Sequence, residues 1–285
     1  GAIYSSAPAN YNSGQILSTT GTVTLTGDTA PNLNTTTGVS SVGIYASGSK
    51  VKSTSGNITM TGTVCSTCTT PQTSQLAYGI QVMNYATDGT YNEFGTGGSG
   101  TFTITGRADN ESSTTPSPYG ISMGFESISR SAISTQTGAL TITGSSSGGA
   151  STPYGVYFAT GGAKTNGGDF TINASVNAPS ATGSYAYYQA TFALNSGTGN
   201  TSITVRANNT TATNYGGNGA WINNSTIKTT TGAISFDSQI PSLSTSSTAT
   251  SLQTASGSRQ EGYAKVFCVF HSTRRSSCAI SPKYL

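Results

Sequence analysis

Apolar and polar residues alternate in short bursts along this chain, and the bursts share one phrase. An apolar residue stands five positions before a glycine, and just beyond that glycine come apolar, Thr, apolar, Thr. The copies run Ile16…Gly21-Thr22-Val23-Thr24-Leu25-Thr26, Val51…Gly56-Asn57-Ile58-Thr59-Met60-Thr61 and Gly100-Thr101-Phe102-Thr103-Ile104-Thr105. They continue as Ile133…Gly138-Ala139-Leu140-Thr141-Ile142-Thr143, Ala163…Gly168-Asp169-Phe170-Thr171-Ile172-Asn173 and Ile227…Gly232-Ala233-Ile234-Ser235-Phe236-Asp237. Between the last two, Leu194…Gly199 is followed by Ile203-Thr204-Val205-Arg206, with the apolar pair two residues late. Successive turn glycines are 30 to 44 residues apart, the range of stacked repeat architectures.

Period-two alternation is a strand pattern. Aligned by phrase, one inward position holds Val23, Ile58, Phe102, Leu140, Phe170, Ile203 and Ile234. The next holds Leu25, Met60, Ile104, Ile142, Ile172, Val205 and Phe236, and the position between holds Thr or, once, Ser235. Such columns arise when equivalent strands stack about 4.8 Å apart, each copy closing its core on its neighbours. A second element recurs as Val42-Gly43-Ile44, Tyr78-Gly79-Ile80, Tyr119-Gly120-Ile121 and Tyr154-Gly155-Val156, then drifts to Tyr185-Ala186-Tyr187 and Asn218-Gly219-Ala220. The residue five before the turn glycine marks a third short strand. In the third copy that place falls on Gly95, with Phe94 beside it. The expected fold is therefore all-β: a single parallel β-solenoid of about seven coils with irregular loops. The longest loops are expected at 84–100 and 65–75.

Composition narrows the picture. Only 7% of residues are charged, against about 25% in ordinary globular proteins. The 34% of apolar residues fall periodically, which favours ordered β structure over disorder. Residues 1–250 carry seven Lys/Arg and eight Asp/Glu, so the repeats are near neutral and the basic excess lies in the tail. A neutral rod has no electrostatic footprint for nucleic acid, and no stretch is apolar for the length a membrane helix needs. Three regions follow: a repeat domain over 1–240, a Ser/Thr-rich linker over 241–258 and a basic, atypical tail over 259–285. The tail is expected not to continue the solenoid; it reads either as a cap or as the product of truncation or a frame change.

The phrase S-x-x-x-T-x-G-x-I-T-I-T-G is carried best by Ser53-Thr54-Ser55-Gly56-Asn57-Ile58-Thr59-Met60-Thr61-Gly62 and Thr135-Gln136-Thr137-Gly138-Ala139-Leu140-Thr141-Ile142-Thr143-Gly144. It resembles the repeats of bacterial filamentous haemagglutinin-type exoproteins, adhesins secreted by two-partner or autotransporter routes. The resemblance covers 16–237. It implies a secreted or surface-displayed bacterial adhesin or structural rod, a piece of a longer chain, without catalysis or cofactor. The partners it implies are a host or neighbouring-cell surface, a glycan or an abiotic surface, with self-association along the solenoid as a further mode.

Candidate chemistry is sparse. Asp88 with Glu93, and Asp109 with Glu111, share loops. A polysaccharide-binding or polysaccharide-degrading β-helix is one alternative; these are the only carboxylate pairs that invite its degrading form, and solvated loop carboxylates are the plainer reading of them. Cys65 and Cys68 have the spacing of a metal or redox pair, but no second pair completes a zinc site. A short loop disulfide or two free thiols remain. Sequons such as Asn57-Ile58-Thr59 are too common in Asn- and Thr-rich text to inform. A sharper alternative is ice binding by a Thr-x-Thr array made of Thr24, Thr26, Thr59, Thr61, Thr103, Thr105, Thr141 and Thr143. In that alignment the second column ends at Asn173, Arg206 and Asp237.

Overall fold

A computed structural model of the chain describes residues 3–5, 15–29, 41–64, 76–83, 92–109, 117–124, 133–148, 151–178, 183–208, 218–239, 252–254, 259–261, 265–270 and 275–281; for 3–5, 218, 238–239 and everything from 252 onward it describes the backbone alone. All regular structure there is β. Three strands per coil stack into three parallel sheets, a parallel β-solenoid of about seven coils.

Sheet 1 is built from β1 (Ile3–Ser5), β4 (Ser41–Ser47), β7 (Ala77–Met83), β10 (Pro118–Gly124), β13 (Tyr154–Phe158), β16 (Tyr185–Ala190), β19 (Asn218–Asn223) and β22 (Leu252–Thr254), in that order. Sheet 2 stacks β2 (Gln15–Ser18), β5 (Lys50–Ser53), β8 (Glu93–Thr96), β11 (Ile133–Thr135), β14 (Gly161–Thr165), β17 (Phe192–Asn195), β20 (Thr226–Lys228) and β23 (Arg259–Glu261). Sheet 3 stacks β3 (Val23–Asp28), β6 (Ile58–Thr63), β9 (Phe102–Ala108), β12 (Leu140–Ser147), β15 (Phe170–Asn177), β18 (Thr201–Asn208) and β21 (Ile234–Gln239). Beyond β21 lie β25 (Arg275–Ser281) and then β24 (Lys265–Phe270), both antiparallel pairings. Past residue 240, then, the backbone still adds β22 and β23 as parallel rungs, and the last two strands form a hairpin along the edge of sheet 3.

The core is one column system. Ile58, Phe102, Leu140 and Phe170 are fully buried and lie in register, as do Ile104, Ile142, Ile172 and Ile203. Burying each such side chain contributes about 1.5–3 kcal/mol. Two details differ from the phrase alignment. In β18 the register places Thr201, not Ile203, opposite Phe170 and Ile234; Ile203 pairs with Ile172 and Phe236. Arg206 therefore lies one place past the second Thr column, where Thr204 stands beside Asn173 and Asp237. Thr201 is tolerated inside because its hydroxyl donates to Ser196 Oγ at 2.9 Å. In the third coil Phe94, not Gly95, fills the sheet-2 core column between Val51 and Ile133. The stretch expected as a loop over 84–100 thus contains strand β8.

The corner between sheets 2 and 3 explains both shifts. A Cβ on Gly168 would lie 2.0 Å from the Gly138 carbonyl oxygen, and one on Gly199 2.2 Å from that of Gly168. Successive turns touch backbone to backbone, so only glycine fits. A buried hydroxyl clamps several of these turns from three residues earlier, and from four in the third coil, where Thr96 Oγ1 donates to the Gly100 carbonyl. Thr135 Oγ1 donates to the Gly138 carbonyl at 2.7 Å, and Ser196 Oγ to that of Gly199 at 2.8 Å. This clamp fixes where the next strand begins, whatever residue follows. In the third coil Gly98, at φ +54°, absorbs one additional residue. At the corner between sheets 3 and 1, glycines again meet: a Cβ on Gly106 would lie 2.2 Å from the Gly120 oxygen, and one on Gly144 2.3 Å from that of Gly155.

Candidate binding faces

Two outward faces carry repeated chemistry. On sheet 3, Thr24, Thr59, Thr103 and Thr141 align rung on rung, and so do Thr26, Thr61, Thr105 and Thr143. The first column continues through Thr171, Ser202 and Ser235. The second is interrupted by Asn173, resumes with Thr204 and ends at Asp237, which accepts from Arg206 Nη2 at 2.9 Å. The structure therefore brings all eight expected threonines together. Those of β6, β9 and β12 are half-buried by their neighbours, and Thr24 and Thr26 on β3 are exposed.

On sheet 1 the outward columns are rich in aromatic residues. Each Tyr-Gly-apolar unit puts Tyr on the outer column and buries the next two residues, the glycine lying against sheet 3; β16 keeps the pattern with Ala186 in the glycine's place. The residue three past the first Tyr is then outward again. Tyr78, Tyr119, Tyr154 and Tyr185 form one column, with ring centroids 4.9, 4.8 and 5.6 Å apart and planes within 18° of parallel. Tyr157, Tyr188 and Trp221 form the other, at 4.9 and 6.0 Å. Across the columns the rings meet edge to face, as Tyr154 does with Tyr157 at 5.0 Å and 71°. Both arrangements are the preferred ones for aromatic quadrupoles.

Burial first, and then the neighbouring phenols, push the hydroxyls of Tyr119 and Tyr154 well above the usual tyrosine range. Tyr78 and Tyr157 shift the same way for the same reasons. Beneath them Tyr187 is fully buried, its hydroxyl donating to Gln189 Oε1, while Gln189 Nε2 donates to the Phe192 carbonyl at 2.7 Å.

Carboxylates of the described residues are spoken for. Glu93 takes Lys52 and, at 3.3 Å, Lys50; the Lys52 hydrogen bond holds its carboxyl below the usual range. Asp109 accepts from Ser145 Oγ at 2.7 Å, and Asp169 from the Asn200 backbone N–H at 2.8 Å. Asp88, Glu111, Cys65 and Cys68 lie outside the described residues. No group of three or more His, Cys, Asp or Glu suited to a metal occurs among the described residues. An open recess of about 380 Å³ at the far end of sheet 3 is lined partly by Asp109, Ser146, Arg206 and Asn208. Its carboxylate and guanidinium are already paired as above.

The aromatic columns were not singled out from the sequence as a surface, although the signal is there: Tyr recurs at one offset before Gly-apolar, and again three residues on. Strict period-two reading hides it, because the two successive buried residues reset the alternation.

Comparison with known protein families, with curated proteins and with solved structures returns no match to this chain.

Proposed function

We propose that this chain is a non-catalytic contact rod, a secreted or surface-displayed bacterial adhesin or structural spacer. The observation that carries the reading is the aromatic face of sheet 1, which runs unbroken over five rungs, from Tyr78 on β7 to Trp221 on β19. An outward aromatic column continued over five rungs marks an interaction site more often than plain solvent contact. The stacked sheets behind it give stiffness, and a repeated face lets weak contacts sum. The resemblance of the Thr-rich phrase to filamentous haemagglutinin-type repeats supports the bacterial and surface setting. The test is retention of the purified full chain on mammalian cells, bacterial cell-wall preparations and glass. Binding to at least one, beyond that of an inert protein of similar charge, is expected. Retention on none overturns the reading.

The register of the eight sheet-3 threonines favours a second reading, ice binding by a Thr-x-Thr array over four rungs. Thermal hysteresis that disappears in Thr103→Tyr would establish it; freezing-point behaviour equal to that of the inert protein would remove it.

A further inference from the structure

We infer that the tyrosine–tryptophan face of sheet 1 binds a linear, uncharged polysaccharide laid along the solenoid axis. This rests on the contact-rod reading above and names its ligand.

The geometry of the rings comes first. Centroids 4.8–4.9 Å apart in near-parallel pairs exceed the roughly 3.5 Å of carbon–carbon contact. The rings in each column must therefore lean. The two columns lie 71° to 84° from one another, so they lean in opposite senses and form a herringbone. Such a surface offers ring edges at every rung from β7 to β19 and phenol oxygens from β7 to β16, rather than one flat greasy plane. Among the described residues no protein group bonds the hydroxyls of Tyr119, Tyr154 or Tyr157. Gln81 and Ser122 extend the Tyr157 column with further neutral hydrogen-bonding groups.

Charge comes second. No Asp, Glu, Lys or Arg occurs in any strand of sheet 1 from β4 to β19. The charged residues of the described strands fall on the other two sheets: Lys50, Lys52, Glu93, Lys164, Lys228, Arg259 and Glu261 on sheet 2, and Asp28, Arg107, Arg206, Asp237, Lys265 and Arg275 on sheet 3. The raised tyrosines keep the face neutral well into alkali. A nucleic acid, an acidic glycan or a charged peptide finds no counter-charge on those strands. A neutral sugar chain matches on each count: it is uncharged, it alternates C–H patches with hydroxyls, and it repeats along one direction as the rungs do. The run from β7 to β19 is four steps, or about 19 Å, enough for several sugar residues in line.

Trp221 is the only tryptophan in the chain and sits at the end of the array, so its fluorescence reports on the face. The experiment is affinity electrophoresis of the full chain through gels holding hydroxyethyl cellulose, a soluble β-1,3-glucan, a mannan or starch, with alginate as the acidic control. Tryptophan emission is followed in parallel. At least one neutral polymer should retard the chain and shift the emission, with little sensitivity to salt. The pair Tyr157→Ala with Tyr188→Ala should weaken retention about tenfold or more, the loss of two ring contacts. If that pair unfolds, Ser122→Arg keeps every ring, adds a charge to the face and should weaken retention as well. Thr103→Ala on sheet 3 should leave it unchanged.

Retardation by none of the neutral polymers overturns the proposal. So does retention that salt abolishes, or that neither sheet-1 variant weakens. Concentration-dependent self-association lost in Ser122→Arg, without retention by any polymer, would assign the face to a second copy of the chain. Retention on cells that survives the sheet-1 variants would reject this ligand while leaving the contact-rod reading in place.

Discussion

Sheets 1 and 3 obey the same stacking rule yet present opposite chemistry. Outside sheet 3 the rungs carry threonine, short and β-branched, which fits the pleat and leaves a shallow hydroxyl surface. Outside sheet 1 they carry tyrosine and tryptophan, large rings that lean on one another. The threonine face is interrupted by Asn173 and closed by the Arg206–Asp237 ion pair; the strands of the aromatic face from β4 to β19 carry no charged residue. Regularity alone therefore does not mark a functional surface. The more regular columns are those any solenoid would favour for strand propensity. The less regular ones place large rings, buried at Tyr78 and partly buried at the later rungs, where stacking does not require them.

The comparison can be broken from underneath. Ile142 is fully buried behind the threonine columns. Ile142→Asp puts an unpaired charge in a stacked core and should cost more than about 4 kcal/mol, read as loss of the cooperative transition in circular dichroism. A soluble variant with unchanged melting would refute the register. Gly168→Ala should cost about 3 kcal/mol, since the new Cβ would lie 2.0 Å from the Gly138 oxygen; denaturant unfolding measures it.

Surface substitutions sharpen the contrast between the faces. Tyr154→Ala removes stacks on both Tyr119 and Tyr185 and should cost about 2–3 kcal/mol. Thr141→Ala, an outward position of the other sheet, should stay within about 1 kcal/mol. Equal costs would erase the distinction.

Alkali offers a gentler probe. The folded-state pKa values of Tyr119 and Tyr154 are raised, so more protons are bound when folded than when unfolded above the ordinary tyrosine value of about 10. Their contribution is intact below that pH and is lost as pH climbs from there toward the folded values. Ultraviolet titration should show these phenols ionising late, together with unfolding. Ionisation at the ordinary pH in the folded chain would contradict their burial.

The smallest effect belongs to sheet 2. Glu93 is lowered by its lysines, so its contribution is present above the unfolded carboxylate value and fades as pH falls through the folded one. The pair is more than a third exposed, and Glu93→Gln should change stability by under about 1 kcal/mol at neutral pH. Thermal melts of the two proteins at matched salt would show it.

Much of this architecture was legible in the chain. Columns such as Phe102, Leu140 and Phe170 could be aligned because burial forces alternation, and the turn glycine supplied the origin. Reading failed where the backbone sets position and the side chain does not advertise it. Thr201 looks polar and was passed over for Ile203, but Ser196 satisfies its hydroxyl inside. Phe94 was displaced by one because Gly98 hides an additional residue in the turn. The eight threonines expected as an array do align rung on rung. The aromatic face was hidden by the two successive buried residues that put Tyr154 and Tyr157, three apart, on one side.

The corner of glycine on glycine has a consequence for how such a chain can change. From the sheet-2 core residue to the first inward residue of sheet 3 is seven residues in six coils, and eight in the coil of Phe94. From sheet 1 to sheet 2 the intervening length varies from one residue, between β16 and β17, to nine, between β7 and β8. One edge of the rod keeps time while another is free to lengthen. From sheet 3 to sheet 1 the intervening length varies as well, from six residues between β12 and β13 to thirteen between β6 and β7, so insertions and deletions are channelled away from the clamped edge onto the other two without disturbing the count of the rungs. A foreign peptide grafted between β7 and β8 would ride on a scaffold that scarcely registers it; the same peptide between β14 and β15 would throw every later coil out of step.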